Sequence, residues 1–108
     1  MKGTLLRFYV HENRRHRHVL LYDWLLGQAR DLGIRGGSAF RAIAGYGRHG
    51  VVHEEHFFEL AGEGTIEVEL AATDVEAERM LALVRAEGIR LFYVRVPVEF
   101  DATGSPET

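Results

Sequence analysis

Apolar positions alternate with polar ones along several stretches of the chain and recur at three- and four-residue intervals along two others. In residues 3–10, Leu6, Phe8 and Val10 alternate with Leu5, Arg7 and Tyr9, the period of a strand. Neither of its faces is wholly polar. Residues 19–32 place Leu21, Trp24, Leu25, Ala29 and Leu32 at helical spacing, with Gly33 suited to a left-handed C-terminal cap. Gly27 inside that helix costs about 1 kcal/mol relative to Ala and would mark a close approach. Residues 38–43 read as a second strand. Residues 65–71 read as a third, with Ile66, Val68 and Leu70 opposed to Glu67 and Glu69. Thr73-Asp74-Val75-Glu76 has the form of a capping box. The helix it opens carries Ala77, Met80, Leu81 and Val84 on one stripe and stops near Gly88. In residues 91–100, Phe92, Val94, Val96, Val98 and Phe100 are expected on one face, with Leu91, Tyr93, Arg95 and Glu99 on the other. Pro97 has no N–H to give a ladder, which predicts an edge strand or a bulge.

The order strand, helix, strand, strand, helix, strand predicts an α+β, ferredoxin-like βαββαβ sandwich. Its antiparallel sheet should run 4-1-3-2 with both helices on one face. At 108 residues the chain suits a single domain over residues 1–100, followed by a small, polar, turn-rich tail at 101–108.

Two helices on one side leave the other side of the sheet uncovered. The expected occupants of that open face are Leu5, Arg7, Tyr9, Glu67, Glu69, Leu91, Tyr93 and Arg95. Leu and Tyr amid Arg and Glu suit an interface better than a solvated surface. A homo-oligomer follows, with sheets packed face to face, Arg7 pairing near Glu67 or Glu69, and closed cyclic symmetry.

Composition narrows the function classes. The net charge of −3 argues against a general nucleic-acid binder, which needs a concentrated basic face. The absence of cysteine removes disulfides, thiolate metal sites and thiol catalysis, and is compatible with a reducing compartment. No apolar run is long enough to span a bilayer and no signal-peptide layout is visible, so a soluble cytoplasmic protein without membrane insertion is expected.

Three stretches carry candidate chemistry. Ala44-Gly45-Tyr46-Gly47-Arg48-His49-Gly50 contains a Gly-x-Gly-x-x-Gly pattern, but the residues that follow it, from Val51 to Leu60, lack a helical stripe. No helix N-terminus is offered to a pyrophosphate, so the dinucleotide-binding reading fails. The glycines instead let a strand leave the sheet into a long loop bearing Arg48 and His49. His11-Glu12-Asn13-Arg14-Arg15-His16-Arg17-His18 is a locally basic connection, either merely solvated or facing an anion. Its His16 and His18 lack a third partner for zinc. Finally, His49, His53 and His56 with Glu54, Glu55 and Glu59 offer an alternative as a metal-binding protein or small hydrolase. Their spacing is unhelpful, since His53 and His56 share a side only if the segment is helical.

The opening Leu5-Leu6-Arg7-Phe8-Tyr9-Val10-His11-Glu12, the helix start Leu21-Tyr22-Asp23-Trp24-Leu25, and Gly45-Tyr46-Gly47-Arg48-His49-Gly50 together resemble the PII-like family catalogued as domain of unknown function 190. More distantly the chain is similar to the PII nitrogen-regulatory proteins. The resemblance implies a non-enzymatic signalling protein: a ferredoxin-like trimer that binds an adenine nucleotide in the clefts between subunits. A mobile T-loop then touches a transporter, channel or enzyme. Carried over, Gly45, Gly47 and Arg48, with His49 adjacent, fall at the loop base beside the nucleotide. Gly50, Val51, Val52, His53, Glu54, Glu55 and His56 fall in the partner-binding loop. Gly88, Arg90 and Arg95 fall near the phosphates. The family's phosphate-cradling connection is shortened here to Ala86-Glu87-Gly88-Ile89-Arg90, which is too short for an equivalent nest of backbone donors, with Arg90 as a partial substitute.

Overall fold

The computed structural model describes residues 1–46 and 64–104. Its elements are β1 (Lys2–His11), β2 (Arg15–His16), β3 (Val19–Leu20), α1 (Leu21–Asp31), β4 (Gly36–Arg41), β5 (Thr65–Ala72), α2 (Asp74–Ala86) and β6 (Phe92–Glu99). β4, β5, β1 and β6 form one antiparallel sheet in that spatial order, and β2 and β3 pair separately. Counting only the four long strands, the order is the expected 4-1-3-2, with the two-residue hairpin added. β6, with its Pro97, lies at an edge as its missing donor requires.

The core lies between the sheet and the two helices. Leu6, Phe8 and Val10 of β1 and Ile66, Val68 and Leu70 of β5 meet Leu21, Leu25 and Ala29 of α1 and Ala77, Met80, Leu81 and Val84 of α2. These are the positions whose periodicity defined the elements. α2 opens with the predicted box: the Glu76 backbone N–H donates to Thr73 Oγ1 and the Thr73 N–H donates to the Glu76 carboxylate. Gly88 then adopts φ of 74° just beyond the helix.

Three local expectations are corrected. Gly27 meets nothing that a side chain would touch, so it marks no close approach. Gly3 does, because a Cβ there would collide with the Ala72 carbonyl oxygen. Residues 15–20 form a hairpin where an irregular connection and a helix start at residue 19 were expected. The turn hides from pattern reading because its two central residues, Arg17 (φ 52°) and His18 (φ 71°), are left-handed without being Gly or Asn.

The third correction concerns β6. Residues opposite one another in an antiparallel pair project to the same face. Leu6 is opposite Arg95 and Phe8 is opposite Tyr93, which places Tyr93 and Arg95 on the helix side. Leu91 packs against the core as well. The open face therefore carries Phe92, Val94 and Val96, opposite Tyr9, Arg7 and Leu5. β6 has apolar residues of both parities, so its own alternation did not say which set turns inward. Pairing with β1 decides it.

Candidate functional site

The register brings one end of every long strand to a common level. His11 ends β1 beside Thr65, which begins β5, and Tyr9 is opposite Phe92, which begins β6. Arg41 closes β4 opposite Ile66. Residues 12–20, residues 42–46 and the connection between α2 and β6 therefore cluster at this end. The strand pairing is extended here by an Ala42 N–H donated to the Thr65 carbonyl and a Glu12 N–H donated to the Gly64 carbonyl. Arg41 also forms an ion pair with Glu12, which holds its guanidinium above its ordinary pKa by hydrogen bond and charge. The last described residues of this segment, Ile43 and Tyr46, are 91% and 83% exposed.

The β2–β3 hairpin is anchored on the C-terminal end of α2. His16 Nε2 lies 2.8 Å from Glu87 Oε1, and Arg17 Nε donates to the same oxygen at 2.9 Å. Hydrogen bonds from Arg17 and then from His16 hold the Glu87 carboxyl below the usual carboxylate range. The His16 ring stands edge-on to Trp24 at 4.7 Å between centroids. Arg14 crosses to the other side of the connection, where its guanidinium donates to the Arg90 carbonyl at 2.9 Å. Its own carbonyl accepts the Leu21 N–H at 2.7 Å, which satisfies the first turn of α1 where no side chain caps it. Sequence reasoning saw a basic loop here but not Glu87 as its anchor. The pairing spans some seventy positions, and no local spacing encodes it.

Of the residues expected to bind ligand, Gly45, Gly88, Arg90 and Arg95 are described. Gly45, Gly88 and Arg90 all belong to the loop end of the molecule. Gly45 follows β4, though, whereas Gly88 and Arg90 precede β6, and these strands are opposite edges of the sheet. The two edge strands themselves are three inter-strand spacings apart, about 14 Å. Arg95 lies farther down β6 and forms an ion pair with Glu78 of α2 at 2.7 Å. Gly47, Arg48, His49, Gly50, Val51, Val52, His53, Glu54, Glu55 and His56 lie outside the described residues, as does the rest of the metal alternative. Among the described residues, no group of three or more His, Asp or Glu side chains could hold a metal ion.

On the open face, Arg7 Nε donates to Glu69 at 2.7 Å and approaches Glu67 at 3.8 Å, so its carboxylate partners belong to its own sheet. Hydrogen bonds to Tyr9 and then Glu69 raise its pKa further. Tyr9 packs on Phe92 at 5.4 Å between ring centroids. Among the described residues, no helix is long and apolar enough to cross a membrane.

Comparison with known proteins gives this arrangement relatives. A protein of Aquifex aeolicus (strain VF5) named "UPF0166 protein" is 29% identical over 87 residues, which cover 81% of this chain and 83% of the relative. Two solved structures share the fold. One is a putative PII-like signalling protein from Thermus thermophilus, with TM-score 0.59 and 17% identity, covering 91% of this chain and 87% of the other. The second is CPII, a nitrogen regulatory PII-like protein from Thiomonas intermedia K12 described as bound to ADP, AMP and bicarbonate. It has TM-score 0.61 and 13% identity, and covers 94% of this chain and 96% of the other. The model of domain of unknown function 190, described as "Uncharacterized ACR", matches residues 3–91, and the chain belongs to that family, with a PII-like ferredoxin fold.

Proposed function

We propose that this chain is a PII-like regulatory binding protein rather than an enzyme. It takes a small anionic ligand, an adenine nucleotide, in clefts between the copies of a homotrimer. The segment beyond Tyr46 carries the signal to a partner protein, either a membrane transporter or channel or a cytosolic enzyme. The observation that carries this reading is the separation of the candidate ligand residues onto opposite sheet edges. A cleft that uses both sets needs the β4 edge of one copy beside the β6 edge of the next, and cyclic closure supplies that contact to every copy equally. The open face supports the same assembly. Leu5, Tyr9, Phe92, Val94 and Val96 surround an internally paired Arg7, leaving an apolar surface with little unbalanced charge to desolvate. CPII, described as bound to ADP, AMP and bicarbonate, indicates the ligand class to try first.

Switching needs only a ligand with different affinities for two arrangements of the loop, because a ligand shifts an equilibrium by no more than that difference. Arg48 at the loop base would add a charge-assisted contact in one arrangement and not in the other. Light scattering coupled to gel filtration, followed by calorimetry with ADP, AMP, a cyclic adenine nucleotide and bicarbonate, tests both parts. The expected results are a trimer, saturable binding of at least one of these ligands, and weaker binding in Arg48→Ala. A monomer that evolves no heat with any of them would end the proposal.

A further inference from the structure

Among the described residues, the hairpin end contains more arginine than its carboxylates can pair. Glu12 is engaged by Arg41, and Glu87 by Arg17 and His16. Arg15 donates to the His18 carbonyl, and Arg14 donates to the Arg90 carbonyl. Among the described residues, neither Arg14 nor Arg90 has a carboxylate partner. Arg14 is held in place by its backbone as well as its side chain: its carbonyl closes the start of α1, and its guanidinium lies on the connection that precedes β6. Partial desolvation lowers its pKa although the residue stays largely exposed, so part of its fork remains open to a ligand. A guanidinium fixed in this way has donors to spare, because one carbonyl uses only part of its five-donor fork. The planar fork matches two oxygens of a phosphate.

We infer that Arg14, held on the Arg90 carbonyl at the head of β6, is a direct contact for the phosphoryl group of the bound anion. The inference rests on the ligand-binding role proposed above and adds a residue to it. The connection at 86–90 is too short to surround a phosphate with backbone N–H groups, and the arginine from the β1–β2 turn supplies the missing donors. It also ties the ligand to the loop base, because the neighbouring Glu12 holds Arg41 at the end of β4.

Calorimetry of the full chain with ADP, AMP and inorganic phosphate, at low and at physiological salt, tests this. The wild type is expected to bind at least one phosphoryl ligand, more weakly as salt rises. Arg14→Gln should weaken that binding about tenfold or more, the range for a hydrogen bond to a charged group. Arg17→Gln, which loosens the hairpin's other tie, should change it less than about threefold. Binding of ADP or AMP without phosphate assigns the site to nucleotides, and binding of phosphate alone assigns it to the free anion; either outcome, joined to the loss in Arg14→Gln, supports the inference. A readout independent of folding is protection of wild-type Arg14 from phenylglyoxal by saturating ligand, followed by peptide mass spectrometry. Equal affinity in Arg14→Gln, an equal loss in Arg17→Gln, or an Arg14 that stays reactive under saturation each overturns the inference while the wider ligand-binding proposal stands. A wild type that binds none of the three probes overturns the inference and counts against the wider proposal.

Discussion

The two faces of the sheet are built from the same strands and differ in what closes them. On the helix side, Leu6, Phe8, Val68 and Leu70 are fully buried within one chain. On the other side Leu5, Tyr9, Val94 and Val96 are only part-buried and Phe92 remains 45% exposed. The covered face has a uniformly apolar centre, whereas the open face has an Arg7–Glu69 pair at its middle. An apolar centre suffices where the fold alone fixes the geometry. A paired charge inside an apolar surround suits contact with another copy, because it penalises misregistered packing more than it adds affinity. The geometry of one face is settled within a single chain, whereas the other face, on the proposed function, is settled by contact with a second copy.

The largest expected effect comes from breaking the covered face. Phe8→Ala should lose about 3–5 kcal/mol of unfolding free energy, the usual cost of emptying a buried aromatic site. Chemical denaturation monitored by circular dichroism measures it. Val94→Glu on the open face should leave the subunit folded. It should weaken self-association on the order of a hundredfold, because a second carboxylate then faces Glu69 across Arg7. Sedimentation should detect folded monomer, and an unchanged assembly would separate the open face from oligomerisation. Thr73→Ala removes the cap of α2 and should cost about 1 kcal/mol while leaving the association state alone.

The smallest effect is the pH dependence of the hairpin anchor. Glu87 titrates below its unfolded value, so its contribution is fully present above the ordinary carboxylate range and is lost as pH falls through the lowered value. Acidification through that range should release residues 15–20 before the sheet opens. Two-dimensional NMR would follow the hairpin and core amides in one titration. Simultaneous loss of both would remove Glu87 from the anchoring role.

Much of the fold was open to reading because its signals are local. Leu6, Phe8 and Val10, the Ile66-Val68-Leu70 alternation, and the Thr73–Glu76 box each specify an element within a few residues. Pro97 even located an edge. The face of β6 was misread because both its parities are apolar, and only the register against β1 turned Tyr93 and Arg95 toward the helices. The candidate site was less accessible. Its residues were named by type, but their grouping depends on which sheet edge each strand occupies.

Periodicity and capping, which act between near neighbours, specified the four long strands, the two helices, the βαββαβ order and the residues of the main core, but not the β2–β3 hairpin. Long-range packing supplied the rest: Glu87 anchors the hairpin, Arg14 rests on the Arg90 carbonyl, and Arg7 meets the expected Glu69 and Glu67 within its own sheet. Those contacts join residues some sixty to seventy-six positions apart. Their energies depend on distance in space, which sequence spacing does not record.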